Sequence, residues 1–204
     1  MQANKNKILL RGRLDALPTP SHANHGVEYF MLPLAVRRLS GAEDLLHVVA
    51  AREQLDAFPL EPGSPLTVQG EVRTFNNRSG VGRRLVVSVF ARTLSQEEGE
   101  DENRLELSGT LCKPPVLRTT PLGRTICDMI LAINRRYGRA DYLPCIAWGS
   151  LAYRCGEMAV GDHLALEGRL QSRIYTKEVD GQLQERTAFE VSVMSLADGD
   201  TYGE

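Results

Sequence analysis

The sequence predicts an all-β protein made of two tandem five-stranded barrels, each with one short helix. Its 204 residues are enough for two domains of about 100 residues, and 42% apolar with 25% charged residues is the composition of an ordinary globular chain. A segment near the N-terminus recurs in the second half, so the two halves share one architecture. Each half consists mainly of short runs with partial apolar alternation and β-branched residues, which predict strands.

The repeat sets the two halves in register. Residues 6–14 (NKILLRGRL) match residues 103–111 (NRLELSGTL) at an offset of 97 residues. The offset is 98 at the fourth strand, and in the last strand residues 87–89 (VSV) are matched with residues 191–193 (VSV) at an offset of 104. Because the offset grows along the chain, we expect the second half to contain a longer late loop.

The second half shows the order of the elements most clearly. Gly109 and Gly168 stand inside strand patterns and predict bulges or sharp bends. Leu151, Ala152 and Cys155 have helical spacing, which predicts a helix over residues 149–157, and residues 53–58 take its place in the first half. The predicted strands of the second half span residues 105–112, 125–134, 142–148, 163–174 and 187–196.

Five strands with one helix between the third and fourth is the order of the OB-fold, a small Greek-key barrel. We therefore place one OB-fold domain in residues 1–95 and a second in residues 103–197. Residues 96–102 (QEEGEDE) are too polar and too charged to pack, so they are predicted to form an acidic linker. Residues 198–204 form a short acidic tail.

Charge and composition exclude several classes of protein. The net charge of −2 conceals two mildly basic halves, because residues 1–95 carry 12 Lys/Arg against 8 Asp/Glu and residues 103–197 carry 12 against 10. Apolar runs are far shorter than the roughly 20 residues of a membrane span, and the N-terminus has no apolar signal core, so a cytoplasmic protein is expected. The four cysteines lack zinc-knuckle spacing and are expected to be buried free thiols.

Catalytic motifs are not apparent in the sequence. It contains no recognisable Ser–His–acid set, phosphate-cradling glycine loop or HExxH helix. His22 and His25 could hold a metal, but no third ligand is apparent. We therefore expect a protein that is not an enzyme and has no cofactor or metal.

Three aromatic residues of the second half point toward nucleic acid. Tyr142 begins the predicted third strand, Trp148 ends it, and Tyr175 follows the fourth. Their spacing puts Tyr142 and Trp148 on the same face of a strand, because side chains six residues apart point the same way. Bases stack on such rings while cations hold the phosphates. The flanking cations are Arg135, Arg136, Arg139, Arg154, Arg169, Arg173 and Lys177.

The same residues have a second interpretation. A lone tryptophan at the end of a strand is often part of a core, and clustered arginines are often solvated surface. The residue pattern alone therefore leaves the function open.

A series of runs occurs in one order along the second half: NRLELSGTL (103–111), PLG (121–123), LAINRR (131–136), DYLPCIAWG (141–149), VGD (160–162) and EGRLQSRIY (167–175). In this order they resemble the bacterial single-stranded-DNA-binding protein family over nearly all of residues 103–196. The resemblance implies stacking positions at Tyr142, Trp148 and Tyr175, and at Tyr137 in the hairpin between the second and third strands. The cations named above are the candidate phosphate contacts of this barrel.

The first half departs from the family pattern. Leu45 and Ala51 stand at the repeat positions of Tyr142 and Trp148, so this barrel is expected to be degenerate in stacking aromatics. Phe75 lies near the repeat position of Tyr175. We expect this barrel to contribute assembly and backbone electrostatics, or only to stabilise the pair of domains. Its candidate phosphate contacts, beside a glycine-rich hairpin, are Arg73 and Arg83.

The resemblance implies sequence-nonspecific binding of single-stranded DNA in replication, repair or recombination, in the bacterial cytoplasm and in association with the nucleoid. One-barrel members of the family form homotetramers, so a two-barrel chain is expected to form a homodimer presenting four OB folds. Replication or repair proteins are candidate partners, although the short tail lacks the tip by which the family recruits them. The alternative is a primosome-type OB adaptor that acts mainly through protein–protein contacts.

Overall fold

The fold is taken from a computed structural model that describes residues 5–77, 85–179 and 181–197, without the side chains of Arg136, Lys177 and Val179. Two predicted features, Arg83 and the tail at residues 198–204, lie outside the described residues. The first half contains β1 (Asn6–Leu14), β2 (Thr19–Asn24), β3 (Val27–Arg37), β4 (Glu43–Ala51), α1 (Arg52–Leu55), β5 (Pro65–Asn76) and β6 (Leu85–Ser95). The second half contains β7 (Glu102–Leu111), β8 (Val116–Thr119), β9 (Thr125–Asn134), β10 (Ala140–Trp148), α2 (Ser150–Gly156), β11 (His163–Val179) and β12 (Gln182–Leu196).

Pairing between strands closes each half into a barrel and confirms the predicted fold class. β1 pairs with β5 and, at its end, with β3, while β4 pairs in parallel with β6. The second half repeats this pattern with β7, β11, β9, β10 and β12. Glycines allow neighbouring strands to approach each other closely. A Cβ on Gly12 would lie 2.2 Å from the Ala35 carbonyl oxygen, and one on Gly168 would lie 2.3 Å from the Ser192 carbonyl oxygen. The register shifts next to Gly168, so the bulge predicted there is present.

Each half has one more strand than predicted. β2 and β8 lie at the two ends of the strand order, where they pair with β3 and β9. All residues of both strands are exposed, so they lack the apolar alternation that identifies the other strands. α1 spans four residues and α2 seven, both shorter than predicted. Within the described residues, no helix is long and apolar enough to cross a membrane.

The two barrels lie side by side and share one sheet. β1 and β7 pair antiparallel, with Asn6 opposite Leu107, which joins all the strands into a 12-stranded sheet. The Asn6 side chain makes two hydrogen bonds to the backbone of Val72, of 2.8 and 2.9 Å. Asn103 makes the same pair of bonds to Leu170, of 2.6 and 3.0 Å. The repeat in the sequence therefore appears as a repeat of contacts.

The last strand of the repeat is displaced from its predicted register. Val48 pairs with Val89 and Cys145 pairs with Val191, so Val89 corresponds to Val191 at an offset of 102 residues and not 104. The matched VSV runs alternate with a period of two, so a slip of two residues leaves every side chain on its original face. The sequence cannot distinguish the two registers for that reason.

The longer late loop of the second half is an extension of two strands. β11 continues to Val179 and β12 starts at Gln182, beyond the predicted ends at residues 174 and 187. Tyr175 therefore lies within β11 and not after it. The sequence does not predict this extension, because the first four residues of β12 are exposed and only one of them, Leu183, is apolar. Gly181 follows β11 with a φ of 76°, as two-residue hairpin turns require.

The acidic segment between the barrels contacts the first barrel. Glu98 lies 3.4 Å from Arg13, and an Asp101 carboxylate oxygen accepts a hydrogen bond of 2.6 Å from the amide of Arg37. Glu102 is already the first residue of β7. Residues 97–101 are exposed, and their acids are tied to arginines that lie far away in the sequence. That residues 96–102 act as a linker stays a prediction.

Candidate nucleic-acid interface

The outer face of the second barrel presents two aromatic rings from a single strand. Tyr142 is 50% exposed and Trp148 is 37% exposed, while Leu143, Cys145 and Ala147 alternate with them and are buried in the core. The alternation follows from the two-residue period of a strand, as the sequence spacing predicted. Both rings are therefore accessible to a ligand, and the interpretation that places Trp148 in the core is wrong.

The neighbouring strands extend this face with polar and cationic residues. Ile146 of β10 lies opposite Ser192 of β12, and Ser192 lies opposite Arg169 of β11. Directly paired residues of a sheet point to the same side. The outer face of β11 then continues with Gln171, Arg173 and Tyr175.

Trp148 lines an open cleft that is rich in arginine. We call it the tryptophan cleft, and its arginines are Arg38 of the first barrel and Arg118, Arg124, Arg169 and Arg173 of the second. The Arg169 Nε is buried and has no hydrogen-bond partner among the described residues. A buried donor without a partner costs about 1–3 kcal/mol, so an anionic oxygen entering the cleft would gain this interaction.

Acidic residues moderate the charge of the tryptophan cleft. Glu190 is 8% exposed, accepts a hydrogen bond of 2.9 Å from Gln171 and lies 3.5 Å from the Arg173 Nε. Asp128 accepts a hydrogen bond of 2.5 Å from the Arg118 Nε, and this bond raises the pKa of Arg118 above its usual value. These carboxylates partly neutralise the positive charge of the cleft, which favours weak, exchangeable contacts with anions over tight ones.

Tyr175 lies beside a cation on β11. The Arg173 guanidinium is 5.6 Å from the centre of the Tyr175 ring, a distance at which cation–π attraction operates. Arg186 lies opposite Tyr175 on β12. The half-buried ring thus lies at the base of the long hairpin, against the Arg173 guanidinium.

Tyr137 projects from the turn between β9 and β10. It is 96% exposed, and its φ of 62° lies in the left-handed region, which an ordinary residue adopts only at a cost. The turn also contains Arg139, which is exposed. Both residues line a second cleft between the two barrels, which we call the inter-barrel cleft, together with His25, Arg73, Arg92 and Arg135.

Two of the predicted phosphate contacts are engaged with a buried carboxylate. Arg135 forms two hydrogen bonds to Asp141 and one of 3.0 Å to the Thr74 carbonyl. Arg73 lies 3.1 Å from the same carboxylate and also pairs with Glu71. Asp141 is fully buried, so removing either guanidinium would leave its charge poorly compensated. These two arginines join the barrels through Asp141, which leaves them less available to a phosphate, and their role as phosphate contacts stays a prediction.

The remaining predicted cations differ in position. Arg169 and Arg173 line the tryptophan cleft, and Arg139 lines the inter-barrel cleft. Arg154 is an exposed residue of α2 and lines neither of these clefts. Arg83 lies outside the described residues, and so do the side chains of Arg136 and Lys177.

Sequence reasoning missed three arginines of the tryptophan cleft. Arg118 reaches it because Ile126 of β9 pairs on one side with Arg118 and on the other with Trp148. β8 was not predicted, so this chain of pairs was not visible. Arg124 precedes β9 near the same edge, and Arg38 comes from the other barrel. Basic residues around a Pro-Leu-Gly turn were the available signal for Arg118 and Arg124.

The first barrel carries no ring at the two repeat positions on β4. Leu45 is exposed at the position of Tyr142, and Ala51 occupies the position of Trp148. Phe75 is exposed on β5, but at the offset of 98 residues it corresponds to Arg173, so it lies two residues before the counterpart of Tyr175. At equivalent positions, therefore, the rings are missing.

Comparison with known proteins finds relatives of the second barrel. Residues 102–197 match the single-strand binding protein family. Single-stranded DNA-binding protein 2 of Listeria innocua is 33% identical over 87 residues, and single-stranded DNA-binding protein A of Bacillus subtilis is 35% identical over 83 residues. These matches cover 39% and 37% of this chain and 54% and 48% of the relatives, so the chain spans about half the length of these relatives.

The likeness to one relative extends over both barrels. The single-stranded DNA-binding protein of Thermus aquaticus is 27% identical over 207 residues, which cover 86% of this chain and 78% of that protein. The crystal structure of the wild-type Thermus aquaticus protein superimposes with a TM-score of 0.78 at 26% identity, covering 95% of this chain and 92% of that one. The second barrel therefore matches the single-strand binding protein family, and the similarity to the Thermus aquaticus protein extends over both barrels.

Proposed function

We propose that this chain binds single-stranded DNA without sequence preference and without catalysis, in replication, repair or recombination. The observation that carries the proposal is the exposed indole of Trp148 at the edge of a cleft lined by arginines, one of which has an unpaired buried Nε. The names of the Listeria, Bacillus and Thermus relatives support the same activity.

Binding rests on two contributions of different kinds. Tyr142, Trp148 and Tyr175 stack on bases, which contributes about 1–3 kcal/mol per base and tolerates any sequence because every base has a flat face. Arg169 and Arg173, with Arg118 and Arg124 of the same cleft, neutralise phosphates and release counterions. Tyr137 and Arg139 provide a further contact at the turn between β9 and β10. Since neither contribution makes or breaks a covalent bond, the process is an equilibrium.

The organisation of the chain is part of the proposal. Residues 1–95 and 103–197 act as two OB-fold domains, joined by residues 96–102 and followed by a tail at residues 198–204. Two copies of the chain form a homodimer that presents four barrels to one DNA strand. Sedimentation equilibrium or light scattering checks the homodimer, since the measured mass is expected to be twice that of one chain.

Fluorescence of Trp148 tests the central claim, because it is the chain's single tryptophan. Titration with oligo-dT is expected to quench the emission to a plateau, since a base stacked on the indole provides a path for quenching. The conservative variant Tyr142→Phe serves as a matched control that retains a ring, and Tyr142→Leu removes the ring with little change of apolar volume. Tyr142→Leu is expected to weaken binding, whereas Tyr142→Phe is not.

Different failures of this experiment have different meanings. An unchanged spectrum, combined with a complex seen by gel shift, contradicts stacking on Trp148 but leaves DNA binding intact. The absence of any complex at low salt contradicts the proposed function. In that case capture of a replication protein in the absence of DNA would favour the adaptor alternative.

A further inference from the structure

The first barrel carries aromatic rings on its outer face, but on strands other than β4. Tyr29 of β3 lies opposite Ala51, just as Ile126 of β9 lies opposite Trp148. Tyr29 therefore brings a ring to the point where the second barrel has its tryptophan, one strand away. Comparison of equal positions in the repeat does not reveal this. The first barrel has its ring on β3 and the small Ala51 on β4, whereas the second barrel has its ring, Trp148, on β10.

A second ring comes from β6. With Val89 corresponding to Val191, Phe90 takes the place of Ser192, which lines the tryptophan cleft in the second barrel. Val89 and Ala91 on either side of Phe90 are buried in the core, so Phe90 points outward. It is half-buried, as is Tyr29, and both rings are accessible from the outer face.

These rings form a connected group with cations at its edge. The Tyr29 and Phe90 ring centres are 5.6 Å apart, and His22 of β2 is stacked on Tyr29 at 4.8 Å with an angle of 12° between the planes. The Arg92 guanidinium lies 5.1 Å from the centre of Phe90. His22 of β2 is paired with Tyr29 of β3, just as Arg118 of β8 is paired with Ile126 of β9. The group of His22, Tyr29 and Phe90 therefore occupies the position in the first barrel that the tryptophan cleft occupies in the second.

From this arrangement we infer a second base-stacking site on the first barrel, formed by Tyr29 and Phe90, with Arg92 as its phosphate contact. The inference rests on the proposed function, because it assumes that the ligand is a single-stranded nucleic acid. It assigns to the first barrel specific side chains that contact bases and phosphate.

The position of Arg92 connects this site with the second barrel. Arg92 lies against Phe90 and also lines the inter-barrel cleft, whose far side is formed by Tyr137 and Arg139. A strand leaving the Tyr137 turn can therefore follow cationic side chains to the rings of the first barrel. This continuity argues for a ligand path, since rings that only filled space would not need to adjoin a basic cleft.

One charge makes the first site weaker than the second. Glu71 takes the position of Arg169, and it accepts hydrogen bonds of 3.2 Å from Arg92 and pairs with Arg73. Part of the positive charge at the first site is thus neutralised, so phosphates gain less there. We expect the second barrel to bind a short strand first and the first barrel to engage only longer strands.

Strands of increasing length test the inference on the whole chain. The double variant Tyr29→Leu with Phe90→Leu removes both rings, and Tyr29→Phe with Phe90→Tyr is the matched control that retains them. For a short oligo-dT, quenching of Trp148 is expected to be the same in all three proteins. For a long oligo-dT, affinity is expected to fall about tenfold in the leucine variant alone, with fewer nucleotides occluded per chain.

Photocrosslinking to the unmodified protein provides a second measurement that does not depend on the folding of a variant. Long oligo-dT substituted with 5-iododeoxyuridine is expected to form adducts on the peptides that contain Tyr29 or Phe90, besides those that contain Trp148. The inference would be overturned by adducts confined to the second barrel, or by a leucine variant whose affinity and number of occluded nucleotides are unchanged. Quenching of Trp148 in the same experiments would still uphold the proposed function. Absence of both quenching and binding in the unmodified protein would overturn both.

Discussion

Asp44 and Asp141 occupy equivalent positions in the two barrels, and each accepts a hydrogen bond from a backbone amide of the opposite barrel. Asp44 binds the Ser172 amide at 2.8 Å, and Asp141 binds the Thr74 amide at 2.5 Å. Both carboxylates are fully buried. The contact is reciprocal, as in an interface between two copies of one subunit, although here both halves belong to one chain.

Each of these carboxylates also has an arginine partner six residues earlier in the chain. Arg38 donates hydrogen bonds to both carboxylate oxygens of Asp44, and this hydrogen bonding raises the pKa of Arg38 above its usual value. Arg135 binds both oxygens of Asp141. The ionised form of each acid is thus satisfied from both barrels, which fixes how the two barrels are oriented.

Replacing Asp141 with alanine is expected to lower the free energy of unfolding by about 3–5 kcal/mol, because Arg73 and Arg135 would lose a buried partner. Urea denaturation measures this change. The control is Glu98→Ala, which removes an exposed ion pair with Arg13 and is expected to cost less than about 1 kcal/mol. Equal midpoints for the two variants would show that the buried contact does not hold the barrels.

The sequence predicted this part of the structure incompletely, and the reason is physical. The repeat compares equal positions and apolar alternation is a local pattern, so they identified the common architecture of the two halves and the common face of Tyr142 and Trp148. They carry no information on which strand lies next to which. The engagement of Arg73 with the other barrel depends on that long-range pairing and could not be predicted.

The same limit explains what was missed in the candidate site. Arg118 and Tyr29 acquire their roles through neighbours in the sheet, not through neighbours in the sequence. The wrong offset at Val89 hid the correspondence of Phe90 with Ser192. A comparison limited to equal positions of the repeat therefore indicates that the first barrel has lost its rings.

Changing Glu190 to glutamine is expected to strengthen binding of oligo-dT. The carboxylate lies 3.5 Å from the Arg173 Nε and competes with phosphate for this cation, whereas an amide oxygen can still accept the hydrogen bond from Gln171. One more phosphate contact would steepen the slope of log affinity against log salt by about 0.7. Titrations at several salt concentrations measure this slope.

The reverse change provides the control for this prediction. Arg173→Gln is expected to reduce the slope by about 0.7 and to weaken binding at low salt. If Glu190→Gln and Arg173→Gln give the same slope as the unmodified protein, Arg173 does not contact phosphate. Thermal melting of each variant without DNA separates effects on folding from effects on binding.

The cysteines provide a test of the core of the second barrel. Cys127, Cys145 and Cys155 are buried free thiols, as predicted, whereas Cys112 is partly exposed, contrary to the prediction. Burial raises the pKa of Cys155 to about 11 and raises the pKa values of Cys127 and Cys145 as well. Since the thiolate is the reactive form, Ellman's reagent at pH 8 is expected to label Cys112 quickly and the other thiols only after unfolding. Rapid labelling of all four thiols in the folded protein would contradict the burial of Cys127, Cys145 and Cys155.

His47 makes the contact between the barrels sensitive to acid. Its ring lies 5.0 Å from that of Phe189 in the other barrel, and burial lowers the pKa of His47 below its usual value of about 6.5. Below pH 6.5 the unfolded chain therefore binds a proton that the folded chain does not, so the free energy of unfolding falls as pH decreases through this range. Urea denaturation at pH 7.5 and 5.5 measures the loss. The variant His47→Phe retains a ring but cannot titrate, and it is expected to lose less stability over the same interval, so an identical loss in both proteins would assign the pH dependence to other groups.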